Sequence, residues 1–172
     1  MDRHDIAEQV RVEQELLRHV MEGLRLSTTW QVRGPDASRK LSTLRFVTGS
    51  FQRHLERLLA LEEDDGFLDM ELVRAPRLAR ATAALRAEHD GFRSEARRVV
   101  QRLEPLPATD PAALEEVGRV LVALLDRIEG HNRKEMALLL EALAVQRYAC
   151  RKGLPSKGVT ASRHFDRIAV TP

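Results

Sequence analysis

Apolar residues recur at three- and four-residue steps through four long segments, and between the segments the pattern breaks at glycine and proline. That period buries one stripe of a helix and leaves the other faces wet. The first segment runs from about 5 to 28 and carries Ile6, Val10, Leu17, Met21 and Leu24. After the break at Arg33-Gly34-Pro35-Asp36, the second runs to about Asp64 with Leu41, Leu44, Phe51, Leu55 and Leu58. Asp64-Asp65-Gly66 ends it, Gly66 being suited to a left-handed C-terminal cap. Pro76 fits the first turn of a third helix reaching about Leu103, with Leu78, Leu85, Phe92, Ala96, Val99 and Leu103 inward. Pro105 and Pro107 break the chain again. Thr109-Asp110-Pro111 reads as an N-cap opening a fourth helix to about Tyr148, with Val117, Leu121, Leu124, Ile128, Leu138 and Ala142 on its stripe. Four such helices with short connections predict an all-α, up-down-up-down four-helix bundle.

The stripes are interrupted at matching places. Gln14 fills the gap between Val10 and Leu17, and Glu62 continues the second stripe one turn past Leu58. His89 falls between Leu85 and Phe92, while His131 and Glu135, four residues apart, share one face between Ile128 and Leu138. A lone histidine on an apolar face is ordinarily a hydrogen-bonded core residue, and a lone glutamate near a helix end is ordinarily solvated. Several on facing helices need one another, because a buried carboxylate or imidazole is costly without a partner. Facing carboxylates and imidazoles are also how bundle interiors hold first-row metals.

Composition narrows the class. The chain has 172 residues, enough for one domain, with 43% hydrophobic, 31% charged and only 4% aromatic residues, a balance that favours helices. Its one cysteine, Cys150, excludes an intrachain disulfide and reads as an ordinary thiol, although Arg147 and Arg151 lie near it. A charged N-terminus without a secretion-type apolar stretch, and no run near the ~18 apolar residues of a membrane span, predict a cytoplasmic protein with no membrane partner. From Gln146 onward six basic residues and one acid give +5, which leaves about −3 for the rest of a chain whose total is +2. The expected division is therefore a bundle over 1–150 and a basic, irregular tail over 151–172. The tail reads as solvated or packed on the body, or as a docking segment for a protein partner or a second copy, rather than as a phosphate-reading surface for nucleic acid.

Over residues 5–145 the sequence resembles the hemerythrin-like (HHE cation-binding) family. The most specific stretch is His54-Leu55-Glu56-Arg57-Leu58-Leu59-Ala60-Leu61-Glu62-Glu63, followed by Gly66-Phe67-Leu68, which is similar to the family's second helix and the turn after it. Pro76-Arg77-Leu78-Ala79 with Leu85-Arg86-Ala87-Glu88-His89 resembles the third, and His131-Asn132-Arg133-Lys134-Glu135 with Leu138-Leu139 the fourth. The resemblance implies a non-haem di-iron centre held by histidines and bridged by carboxylates. Carried over by position, Glu62, His89, His131 and Glu135 match metal ligands, while Gln14, Leu58 and Arg93 stand where the family has histidines. Leucine cannot ligate, and a glutamine oxygen is a poor iron ligand. By the same analogy Gln14 and Leu58 occupy the positions that serve one metal, and His89 and His131 those that serve the other. His54 lies toward the edge of its stripe, and His19 points some 140° away from Gln14 around the helix, so neither replaces a lost ligand.

Three readings follow. The leading one is a cation-binding protein with a partly lost di-iron site, holding at most one ion (iron, or zinc or manganese) and serving in oxygen, redox or iron sensing or handling. The second is a metal-free helical interaction module, in which Arg93 substitutes for the cation in an Arg93–Glu62–Glu135 network. The third is a mononuclear metal-dependent redox enzyme built on the remaining two histidines and two glutamates. No serine or cysteine nucleophile constellation is present, which weighs binding above catalysis.

Overall fold

The computed structural model describes residues 3–30, 36–64 and 76–151. They form four helices, α1 (Arg3–Thr29), α2 (Asp36–Asp64), α3 (Pro76–Leu103) and α4 (Pro111–Arg151). No strand occurs among the described residues. The expected Gly66 cap and the irregular tail after Arg151 lie outside the described residues.

Each helix packs on two neighbours in a closed ring, α1 on α2, α2 on α3, α3 on α4 and α4 back on α1. This is the up-down-up-down arrangement that short connections enforce. The inward stripes supply the core: Leu17, Leu24, Phe51, Leu55, Leu58, Phe92, Ala96, Val99, Leu103, Leu121, Leu124, Leu125 and Ile128 are almost wholly buried in one continuous cluster. A smaller cluster of Leu78 and Ala142, with Leu138 and Leu139 half-buried against them, sits farther along α3 and α4. On these two helices the polar positions 89, 131 and 135 fall between the clusters, so they are closed off by apolar side chains on both sides.

Cationic side chains of α2 finish its neighbours. Lys40 donates to the carbonyls of Thr28 (3.2 Å) and Trp30 (2.6 Å) at the end of α1. Arg45 donates to the carbonyls of Leu103 (2.9 Å), Glu104 (2.7 Å) and Leu106 (2.8 Å) at the end of α3. Both satisfy carbonyls that a helix leaves unpaired at its C-terminus, where the dipole also favours positive charge. The α4 start is as its sequence predicts, with the Asp110 carboxylate accepting from the Ala113 amide at 3.0 Å. These contacts fix the end of the bundle opposite the polar layer.

Phe51 is fully buried and Phe46, on the same helix, is 75% exposed. Phe51→Ala is expected to cost ~3–5 kcal/mol, whereas Phe46→Ala should stay within about 0.5 kcal/mol of the parent. Urea unfolding followed by circular dichroism checks both, and equal losses would contradict this assignment of the core.

Candidate metal centre

All four helices send a polar side chain to one level of the interior. Glu62 comes from the last turn of α2, His89 from the middle of α3, and His131 and Glu135 from successive turns of one face of α4. All four are at least 96% buried. Gln14 of α1 is half-buried and hydrogen-bonds the Glu62 carboxyl. Glu62, His89 and His131 each offer a ligand atom within 4.8 Å of the others, and no second such group of three occurs among the described residues.

The histidine pair is the centre of the arrangement. The Nε2 atoms of His89 and His131 lie 3.1 Å apart, with the rings edge-to-face at 4.9 Å between centroids and 62° between planes. Each ring is held from behind. His89 Nδ1 meets Glu63 Oε1 at 2.8 Å, and His131 Nδ1 meets Glu88 Oε2 at 3.1 Å. An ionised carboxylate only accepts, so both Nδ1 atoms carry protons. Glu63 is kept well ionised by its hydrogen bonds from Arg93, which outweigh its partial burial. Burial also works against ionisation of Glu88, but hydrogen bonds from Lys134 and His131 prevail and its pKa falls. Burial pushes both imidazoles below the usual histidine range, which makes the neutral ring the preferred form. Two neutral rings protonated at Nδ1 then aim two Nε2 lone pairs at the same small space. Next to it, Glu62 Oε2 is 3.8 Å from His89 Nε2, and Glu62 Oε1 is buried with no hydrogen-bond partner.

Two imidazole nitrogens and one carboxyl oxygen converge in the buried interior, and release of the Glu62 proton would complete a three-atom set able to hold a cation. The 3.1 Å nitrogen spacing is also close to what two imidazoles keep when both stand ~2.1 Å from one ion. On chemistry and geometry the residues present fit one such ion.

The other half of the expected centre has a different character. Leu58 is almost wholly buried in the apolar core, Gln14 is engaged with Glu62, and neither adds an imidazole to this space. His54 donates through Nδ1 to Glu13 at 2.9 Å, and Arg57 bonds the same carboxylate at 3.0 Å. His19 is exposed, with Nδ1 on the Glu15 carbonyl at 2.8 Å.

Arg93 requires a correction. The anticipated Arg93–Glu62–Glu135 network is not formed. The guanidinium instead grips Glu63 through both oxygens, at 2.9 and 2.7 Å, and reaches Glu56 at 3.2 Å and Asp90 at 3.4 Å. Its effect on Glu62 is only a distant charge, the smallest of five influences there. The side chain is too well matched to the half-exposed Glu63, whose planar carboxylate accepts its fork, to turn inward. Glu63, Glu88, Lys134 and the buried Glu13 carried no role in the sequence pattern, because each sits off the stripe and acquires its partner only from a facing helix.

Burial also dictates how the metal-free protein responds to pH. The Glu62 carboxyl is pushed up to about 8 by burial, then by the neighbouring Glu135, and burial raises Glu135 to about 7. Between the ordinary carboxyl value of 4.5 and these values, the folded chain holds protons that the unfolded chain has released. Stability from this source therefore falls as pH rises through that interval. The depressed histidines act in the opposite direction only below their ordinary 6.5. Among the described residues the carboxyls are the groups with a shift that acts from pH 6.5 to 8, and over this window they should cost the metal-free protein on the order of 2 kcal/mol. A urea midpoint that rises with pH over this window would contradict the burial of these two groups.

Comparison with curated proteins and with solved structures returned no match. A family model does match: the hemerythrin HHE cation binding domain aligns with residues 5–143. That span takes in α2 and α3 whole, most of α1 and α4, and every member of the main buried cluster. The helical ring, the inward carboxylates and imidazoles, and this match over most of the chain agree, and the protein belongs to the hemerythrin HHE cation-binding domain family.

Proposed function

We propose that this chain binds a single transition-metal ion through His89 Nε2, His131 Nε2 and Glu62, with Glu135 as a further carboxylate beside them, and that the second ion position of a two-metal centre is lost. The observation that carries this reading is the pair of Nε2 atoms 3.1 Å apart, each ring proton-anchored at its far side by a carboxylate. With both Nδ1 atoms protonated, the two Nε2 atoms can hydrogen-bond each other only if one ring takes a second proton, which burial disfavours, whereas a cation satisfies both lone pairs.

Two neutral nitrogens and one or two carboxylates suit iron, zinc or manganese. When bound, such an ion supplies a Lewis-acidic centre, and iron adds a redox couple. The chain's own residues supply the rest. Glu62 and Glu135 offset the ion's charge, Gln14 orients Glu62, and Leu78, Leu138, Leu139 and Ala142 help exclude water from one side. Phe92 packs edge-on against the His131 ring at 5.2 Å and limits its rotation. We take the biological role to be oxygen, redox or iron sensing or handling at this one ion.

The metal-free scaffold reading loses its main support, because Arg93 is committed to Glu63 and leaves Glu62 Oε1 without a partner. A mononuclear redox enzyme gains some. A groove of about 360 Å³ between α1 and α4 is lined by Gln14, Arg18, Met21, Glu129, Asn132, Arg133 and Met136. Gln14 is shared by that groove and by Glu62, so a small molecule in it would lie one side chain from the centre.

Metal analysis of protein grown with and without added iron should find no more than one ion per chain. His89→Ala with His131→Ala should abolish binding while helix content is retained. Adding imidazoles at the lost positions, Gln14→His with Leu58→His, should raise the iron ceiling toward two. Two irons per chain in the unmodified protein would overturn the single-ion reading.

A further inference from the structure

The side chains behind the two histidines follow a pattern that runs around the bundle. Glu62 of α2 faces the centre, and its immediate neighbour Glu63 reaches across to the Nδ1 of His89 on α3. His89 faces the centre, and its immediate neighbour Glu88 reaches across to the Nδ1 of His131 on α4. Glu62 is thus followed, and His89 preceded, in sequence by the carboxylate that holds the imidazole of the next helix. Each carboxylate is in turn tied to a cation of the helix it has reached or served. Arg93, one turn beyond His89, takes both oxygens of Glu63, and Lys134, close to His131, takes Glu88 Oε1 at 3.1 Å.

We propose that Arg93–Glu63 and Lys134–Glu88 are two positioning arms that fix the tautomer and aim of His89 and His131, and thereby set the affinity of the centre for its ion. This rests on the reading of the two histidines as ligands. An imidazole has two nitrogens, and in the neutral ring only one of them bears the proton. A carboxylate on Nδ1 places the proton there and leaves Nε2 free to bind. Without the arm, the Nε2–H form becomes accessible, and its proton would occupy the space where the ion belongs. The cation has a separate task. It holds the carboxylate stationary, since a free glutamate with one third of its side chain exposed would spend much of its time in water.

The two arms differ in strength. Arg93 makes a two-pronged grip and is only 18% exposed, whereas Lys134 makes one contact and is 62% exposed. A planar fork on a carboxylate holds orientation better than a single ammonium contact. Arg93 also occupies a position where the family resemblance places a ligand. In this chain that position acts through another residue, and His89 is held the more tightly of the two rings.

The test uses the full-length protein and the isosteric variants Glu63→Gln and Glu88→Gln, read in two ways. In metal-free protein, nitrogen-15 spectra of the imidazoles should show a proton on Nδ1 of both His89 and His131. Glu63→Gln should populate the Nε2–H form of His89 and leave His131 as it was, and Glu88→Gln should do the reverse. Zinc titration by calorimetry should then show each variant binding ~10–100-fold more weakly, with Arg93→Met weaker in the same direction and helix content unchanged. Tautomers that do not respond ring by ring, or zinc affinities equal to the parent's, would overturn the arms. An unmodified protein that fails to bind zinc, iron or manganese would overturn the metal-centre reading instead, while the tautomer spectra still decide whether the arms exist.

Discussion

Two carboxyl groups and two imidazoles are withdrawn from water at one level of this bundle, and the surrounding structure answers that cost. Isolated charges in such a place would be prohibitive, so each group must be neutral, paired or bound to a cation. The imidazoles meet the condition as neutral rings. The carboxyls meet it only partly, by holding protons well above their ordinary range, and one oxygen of Glu62 still has no partner. A bundle that needed only to fold would be expected to place leucine at these positions, as it does at Leu58. Retaining four polar side chains here makes sense if something other than folding uses them.

The distribution of positive charge fits that view. Arg93 and Lys134 could reach the interior only by losing hydration, and a buried ion pair often returns less than desolvation takes. Both stay outside the buried layer, Arg93 mostly covered and Lys134 mostly exposed, and Glu63 and Glu88 stand between these cations and the buried rings. The interior thereby keeps its donor atoms open, and the geometry of each ring is settled from outside.

The bundle frame supports this unequally along its length. At the α2 N-terminus, Lys40 and Arg45 fasten the ends of α1 and α3, and the continuous apolar cluster packs there without interruption. Toward the polar layer the core is divided, with a small cluster beyond it on α3 and α4. The ring's α4–α1 side carries a groove at Gln14.

The sequence by itself determined the helices and the inward positions, because both depend on local rules. A 3.6-residue period specifies which face is buried, and proline and Asp110 mark where helices begin, so the starts of the third and fourth helices were legible in the sequence. Interruptions at 62, 89, 131 and 135 were legible for the same reason, and all four side chains are buried. Partners were not. Whether Arg93 meets Glu62 or Glu63 depends on the rotation and rise of α2 relative to α3, which no spacing within one helix encodes. Glu13, Glu63 and Glu88 lie beside the stripes, and their roles come from His54, His89 and His131 on facing helices. Sequence fixes direction around each helix axis, whereas hydrogen bonds between helices need distance and register across the bundle, and only tertiary packing sets those.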